Sequence, residues 1–217
     1  MSKLTPVAFL LSGAGGIAGS YYVSPKQSSK TVSSKLNTRF RDKYKFPLLQ
    51  EQGDEDIWKS KWELLKTGKP THKKLLEAIK IKDQEKKSQD LHKEGCQDIY
   101  NSKVITTPYL SDFTLYCSKT NKDAIGKGKW ISEDFKSQPK GKTNAWDEPL
   151  EKLRKTEKKD LDYKLSDLYN QIKDTKVNLE EKHRKTLKEW CDSIAGGMFL
   201  GEEKRGIGNA KNFCIGK

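Results

Sequence analysis

The chain has 217 residues, 34% of them charged and 33% hydrophobic, with a formal net charge of +13 and a mean hydropathy of -0.89. That length suits one domain or two small ones, and so polar a composition builds narrow helical seams more readily than one large round core. Only Arg39, Arg41, Arg154, Arg184 and Arg205 among the 43 basic residues are arginine; recognition of phosphates and base edges favours arginine, so the lysines read as a solvated face and specific nucleic-acid binding is not expected, although non-specific attraction to polyanions is physically available.

From Leu4 to Pro25 no side chain is charged. A spanning helix needs about 20 predominantly apolar residues, and residues 1–25 are read as a membrane anchor, with Pro6 in the first turn and Tyr21 and Tyr22 at interfacial depth. Gly15 and Gly19 form a G-x-x-x-G pair that would let two anchor helices approach closely, giving an anchor-mediated homo-oligomer. The alternative is a cleaved signal segment with small residues Ala18 and Ser20 before the cut. Residues 26–53 follow as a basic, Ser/Lys-rich linker whose bases are Lys26, Lys30, Lys35, Arg39, Arg41, Lys43 and Lys45. The positive-inside rule applied to them places the body in the cytoplasm, whereas the cysteines below argue for the outside.

Residues 54–120 make a first helical module. Acids at Asp54, Glu55 and Asp56 suit a first turn, and Ile57, Trp58, Trp62 and Leu65 follow at helical spacing until Gly68 and Pro70. Thr71 then caps a second helix expected to run to about Asn101 through a polar middle from Lys80 to Asp90, and Thr107-Pro108 opens a short helix towards Cys117. Residues 121–145 read as a connecting loop with Trp130, Ile131 and Phe135 docking locally. Its Gly141-Lys142-Thr143 lacks the upstream glycine and strand of a phosphate-binding loop. Residues 146–217 form a second module in which Leu161, Leu165, Leu168 and Ile172 recur in heptad fashion; the run from Pro149 to Ala195 is either one rod or two helices broken near Asp174 and Thr175.

Self-similarity is the most informative feature. Lys93-Glu94-Gly95-Cys96-Gln97-Asp98-Ile99 aligns with Lys188-Glu189-Trp190-Cys191-Asp192-Ser193-Ile194, and each cysteine is followed at nearly equal distance by another, Cys117 and Cys214. Trp58 and Trp62 stand where the second copy has Trp146. Four cysteines allow three pairings; the repeat selects Cys96 with Cys117 and Cys191 with Cys214, against the alternative of four buried thiols. No C-x-x-C is present, and His72, His92 and His183, read as lone exposed side chains, complete no ligand set. No metal, cofactor or catalytic residue is assigned, and the chain is not read as an enzyme.

The apolar, glycine-containing start Met1-Ser2-Lys3-Leu4, the lysine-rich helical body, and Leu187-Lys188-Glu189-Trp190-Cys191 followed by Phe199-Leu200-Gly201-Glu202-Glu203 and Cys214 resemble a paralogous family of uncharacterised proteins of haemotropic mycoplasmas. The resemblance covers the two ends best, and the first copy departs from it with Gly95 in place of Trp190. It implies no activity; it implies surface exposure and antigenic diversity in a wall-less parasite of red cells. The expectation is a mainly α protein, an N-terminal transmembrane helix followed by an elongated helical body of two diverged helix-cysteine-loop-cysteine modules. It would be single-pass in the cell membrane with its body extracellular, a non-enzymatic protein meeting a host or other protein partner. The alternative is a cytoplasm-facing, membrane-tethered scaffold binding polyanions, either nucleic acid or anionic lipid.

Overall fold

A computed structural model describes residues 37–126, 130–136 and 143–216. The expected anchor with Gly15 and Gly19, and the linker bases Lys26, Lys30 and Lys35, lie outside the described residues, as do Gly141 and Lys142. Among the described residues the protein is mainly helical, and no helix is long and apolar enough to cross a membrane.

Ten α-helices among the described residues fall into two sets of five. The first set is α1 (Phe40–Lys43), α2 (Glu55–Lys66), α3 (Lys73–Lys80), α4 (Glu85–Asn101) and α5 (Leu110–Tyr116). The second is α6 (Asn121–Ile125), α7 (Asp147–Arg154), α8 (Tyr163–Ile172), α9 (Glu181–Gly196) and α10 (Arg205–Phe213). The same partners pack in both: α1 on α4 as α6 on α9, α2 on α5 as α7 on α10, and α3 on α4 as α8 on α9. Each set closes around its own apolar cluster. Trp58, Trp62, Leu65, Leu75, Ile99 and Phe113 build the first, and Trp146, Leu150, Leu153, Leu165, Leu187 and Phe213 the second. The aligned triples Trp58, Trp62, Leu65 and Trp146, Leu150, Leu153 lie on one face of α2 and α7, as a spacing of four and three requires.

Isolated bridges mark where each copy begins and ends. Arg39 pairs antiparallel with Lys103 as Thr120 does with Met198, and Leu48 with Ser118 as Trp130 does with Ile215. Two sequence boundaries therefore move. The linker expected over 26–53 is folded from about Arg39 onward, with Phe40 and Leu49 in the first core, so Arg39, Arg41, Lys43 and Lys45 sit on the first module. Likewise, of the expected connection over 121–145, the described residues 121–126, 130–136 and 143–145 open the second module, with Trp130 in its core. Both stretches bury single apolar residues through long-range bridges, which leaves no local periodicity to read.

The helices are also shorter than the periodicity suggests. The expected helix from Thr71 to Asn101 turns between α3 and α4, where the polar middle offers no continuous apolar face. The run from Pro149 becomes three helices, with breaks at 155–162 and 173–180. Arg154 holds the second break: its Nε donates to the Ile172 carbonyl at 2.7 Å and its Nη2 to the Val177 carbonyl at 2.8 Å, satisfying acceptors a helix end leaves open.

Candidate functional site

Each copy staples its longest helix to the end of its last one. Cys96 of α4 is bonded to Cys117, just past α5, with Cα atoms 5.3 Å apart, and Cys191 of α9 to Cys214, just past α10, at 5.6 Å. All four sulfurs are buried. In the first copy the Tyr100 hydroxyl donates to the Cys117 carbonyl at 2.6 Å and accepts from the Leu49 backbone at 3.3 Å, and burial pushes its pKa upward.

His92 lies one turn before Cys96. Its Nε2 is 2.9 Å from the Tyr116 carbonyl; a carbonyl only accepts, so Nε2 carries the proton. The ring stands edge-on to Trp58, with centroids 5.3 Å apart, and tilted beside Trp62 at 6.0 Å. Burial holds its pKa down at about 4. A ring nitrogen of His92, Cys96 Sγ and Cys117 Sγ lie within 4.8 Å of one another, but both sulfurs are committed to the cystine and offer no thiolate. The second copy puts buried Leu187 in the same place, so the imidazole acts as a core side chain that keeps one hydrogen bond. His72 and His183 are buried too, which corrects the expectation of exposed histidines; His183 Nδ1 accepts from the Glu180 backbone at 3.1 Å and helps cap α9. Above His92, α2 and α4 border a cleft of about 400 Å³ with Glu55, Lys59, Glu85 and Lys93 at its rim, and Lys93 Nζ reaches 5.9 Å from the Trp58 ring.

A buried polar latch recurs five residues before the second cysteine of each pair. The Asp112 carboxylate accepts from the Thr71 and His72 backbone at 2.8 and 2.7 Å, while Asn209 accepts from the Asp162 backbone at 2.8 Å and donates to the Asp160 carbonyl at 3.0 Å. Both orient the start of the third helix of their copy, a role the sequence reading gave to a Thr71 cap. The tryptophans correspond as well: Trp58 Nε1 donates to the Gln50 carbonyl at 2.8 Å and Trp146 Nε1 to that of Glu133 at 3.0 Å. Gly95 and Trp190, the mismatch directly before the aligned cysteines, differ for a steric reason. A Cβ on Gly95 would stand 2.8 Å from Leu75 Cδ2, so α3 packs directly on α4. Trp190 instead holds α8 away from α9 and reaches Asp162 Oδ1 through its indole N–H at 3.1 Å.

The two copies meet in a built joint. Lys119 N donates to the Pro47 carbonyl at 2.8 Å and Phe199 N to the carbonyl of Lys119 at 3.0 Å. Lys119 Nζ lies 2.8 Å from Asp54, a largely buried ion pair that reaches back into the first copy. Met198 packs against the first core, and Phe199 meets Phe46 edge-on at a centroid separation of 6.3 Å. Gly201 has φ +104°, and a Cβ there would stand 3.1 Å from the Phe46 ring, so glycine serves both the turn and the contact. Beside this, Ser60, Lys61 and Leu64 of α2 line an open cleft together with Lys122, Asp123, Asp192 and Ala195.

The structure thus brings the four cysteines together in two pairs and places Arg39, Arg41, Lys43 and Lys45 on the first module. Lys43 Nζ lies 5.0 Å from the Tyr44 ring. Asp112, Asn209 and Arg154 were given no structural role in the sequence, and Asp54 was read only as a first-turn acid; Asp112 and Asn209 alone left a signal, a small carboxyl or carboxamide side chain at the same distance before a cysteine. Comparison with protein-family models, with curated proteins and with solved structures finds no match to this chain.

Proposed function

We propose that the chain is a single-pass, membrane-anchored and surface-exposed protein without enzymatic activity, which meets host or other protein partners and varies its exposed faces. The observation that carries this reading is the pair of cystines at corresponding places in two copies of one five-helix module. Structural cystines persist in oxidising surroundings and stabilise small helical units with thin cores. The copies keep the staple, the latch and the indole hydrogen bond, and differ both at solvent-facing positions such as Asp98 and Ser193 and at buried ones such as His92 and Leu187. A common framework carrying different side chains suits binding or display. The resemblance of the two chain ends to a paralogous family of uncharacterised proteins, which implies surface exposure, agrees with it, as does the uncharged stretch from Leu4 to Pro25.

The test is to alkylate thiols in intact native cells, digest the unreduced protein and map its peptides by mass spectrometry, with surface proteolysis of parallel cells. Cys96–Cys117 and Cys191–Cys214 peptides, an uncleaved amino terminus and body fragments released by external protease support the reading. Four alkylated cysteines and a body protected until lysis would replace it with the cytoplasm-facing scaffold, for which polyanion binding should fall steeply with salt.

A further inference from the structure

One buried position separates the two staples chemically. Four residues before the first cysteine of each pair stands His92 in one copy and Leu187 in the other. That spacing is one helical turn, so each side chain shares a helix face with its cysteine. Leu187 fills its core with no polar atom to satisfy. His92 instead puts a polar ring into the first core, kept neutral by burial, and brings a ring nitrogen within 4.8 Å of both Cys96 Sγ and Cys117 Sγ.

Two thiolates and a neutral imidazole are a donor set for a thiophilic closed-shell cation such as Zn²⁺. With zinc–sulfur bonds of about 2.3 Å, the sulfurs around one ion stand at most about 4.6 Å apart, so the three atoms are already gathered on the scale of a single coordination sphere. The Tyr116 carbonyl, 2.9 Å from His92 Nε2 and 3.7 Å from Cys96 Sγ, adds an oxygen beside the same group. While the sulfurs are bonded to each other they cannot serve as thiolates. Reduction frees them: the S–S bond breaks, and two molecules of a small thiol, RSH, supply two electrons and two protons and leave as RSSR. Binding of Zn²⁺ then displaces the two cysteine protons to solvent. The ring loses none, since one nitrogen gives its lone pair while the other carries the N–H.

We propose that the dithiol form of the first module binds a zinc ion through Cys96, Cys117 and His92, whereas the second module, with Leu187 in place of the imidazole, does not. The ion ties α4 to the end of α5 in the form of the chain that lacks the staple, because the binding free energy of a structural zinc adds to that of folding. His92 also lines the cleft of about 400 Å³ whose rim carries Glu55 and Glu85 beside Lys59 and Lys93, so the ion enters from the imidazole side. Every newly made chain begins with thiols, so the inference holds on whichever side of a membrane the body finally lies.

The experiment uses the full chain in detergent with Cys191→Ser and Cys214→Ser, which leaves the first pair alone. A phosphine reduces it and is removed without air; Co²⁺ is titrated in as a spectroscopic probe, then Zn²⁺, with helical circular dichroism recorded throughout. The expected result is a single Co²⁺ per chain, thiolate-to-cobalt charge transfer in the near ultraviolet, the visible bands of a four-coordinate ion, helix kept or regained, and displacement by an equivalent of Zn²⁺. Adding His92→Leu should weaken binding at least tenfold, and so should presenting the second pair instead, in a chain with Cys96→Ser and Cys117→Ser. Cobalt bound as tightly with His92→Leu as without it overturns the proposal, since the thiols alone would then suffice. Equal binding by the second pair does the same. So does a reduced first pair that takes up no cobalt below about 100 µM, an affinity too weak to act, or that takes it up in a chain without helix.

Discussion

At the residue scale His92 and Leu187 occupy one position with different chemistry. The folded His92 holds its pKa near 4 through burial, below the ordinary 6.5, so the fold prefers the neutral ring. Its stability contribution is full above pH 6.5 and is lost as pH falls from there towards 4, for a total of about 3 kcal/mol. Denaturant titrations at pH 7.5 and 4.5 should show that loss in wild type and not in His92→Leu, once the shared acid response is subtracted. The Asp112 latch is tested by contrast: Asp112→Ala strands two backbone donors and should cost about 2–4 kcal/mol, whereas Asp112→Asn, which copies Asn209, should cost under about 1 kcal/mol. Gly95→Trp, which copies Trp190, should unfold the first module, because Leu75 already fills the space; a cooperative melt at the wild-type temperature would refute the steric account.

At the scale of elements, the cystines were legible because duplication selects one of three pairings, and α2, α4 and α9 because their apolar residues keep helical spacing. The two breaks in the run from Pro149 were only half legible: Asp174 and Thr175 suggested one, while the other rests on Asn209 holding the Asp160 and Asp162 backbone from a helix far along the chain. No local pattern reports that. The stretches 37–53, 121–126 and 130–136 were misplaced for a similar reason, since bridges of single residues organise them. Each staple acts on its own helices. Cys96→Ser with Cys117→Ser should lower stability by about 3 kcal/mol in the chain-entropy picture, and hydrogen exchange should quicken in α4 and α5 while α9 and α10 stay protected.

On the scale of the whole molecule, two separate cores joined by one seam predict unfolding in two steps whose separation depends on the seam. Lys119→Ala removes the ion pair with Asp54 and should move the two melting transitions apart in calorimetry, at a cost of about 2 kcal/mol. The seam itself was not read in the sequence, where Phe199 and Gly201 entered only through the motif that carries the resemblance and Met198 carried no pattern at all. The bridges carry a mechanical consequence. The strand leading into each module, at Arg39 or Thr120, is hydrogen-bonded to the span that its cystine closes, at Lys103 or Met198, and the strand leaving it follows the second cysteine directly. Tension along the chain therefore passes from incoming strand to stapled span to outgoing strand, sparing the first three helices until those few hydrogen bonds part. Even then the covalently closed spans of 21 and 23 residues cannot lengthen. A body pulled from both ends would yield in two steps, one per module, each ending short of full extension by the length of its closed span.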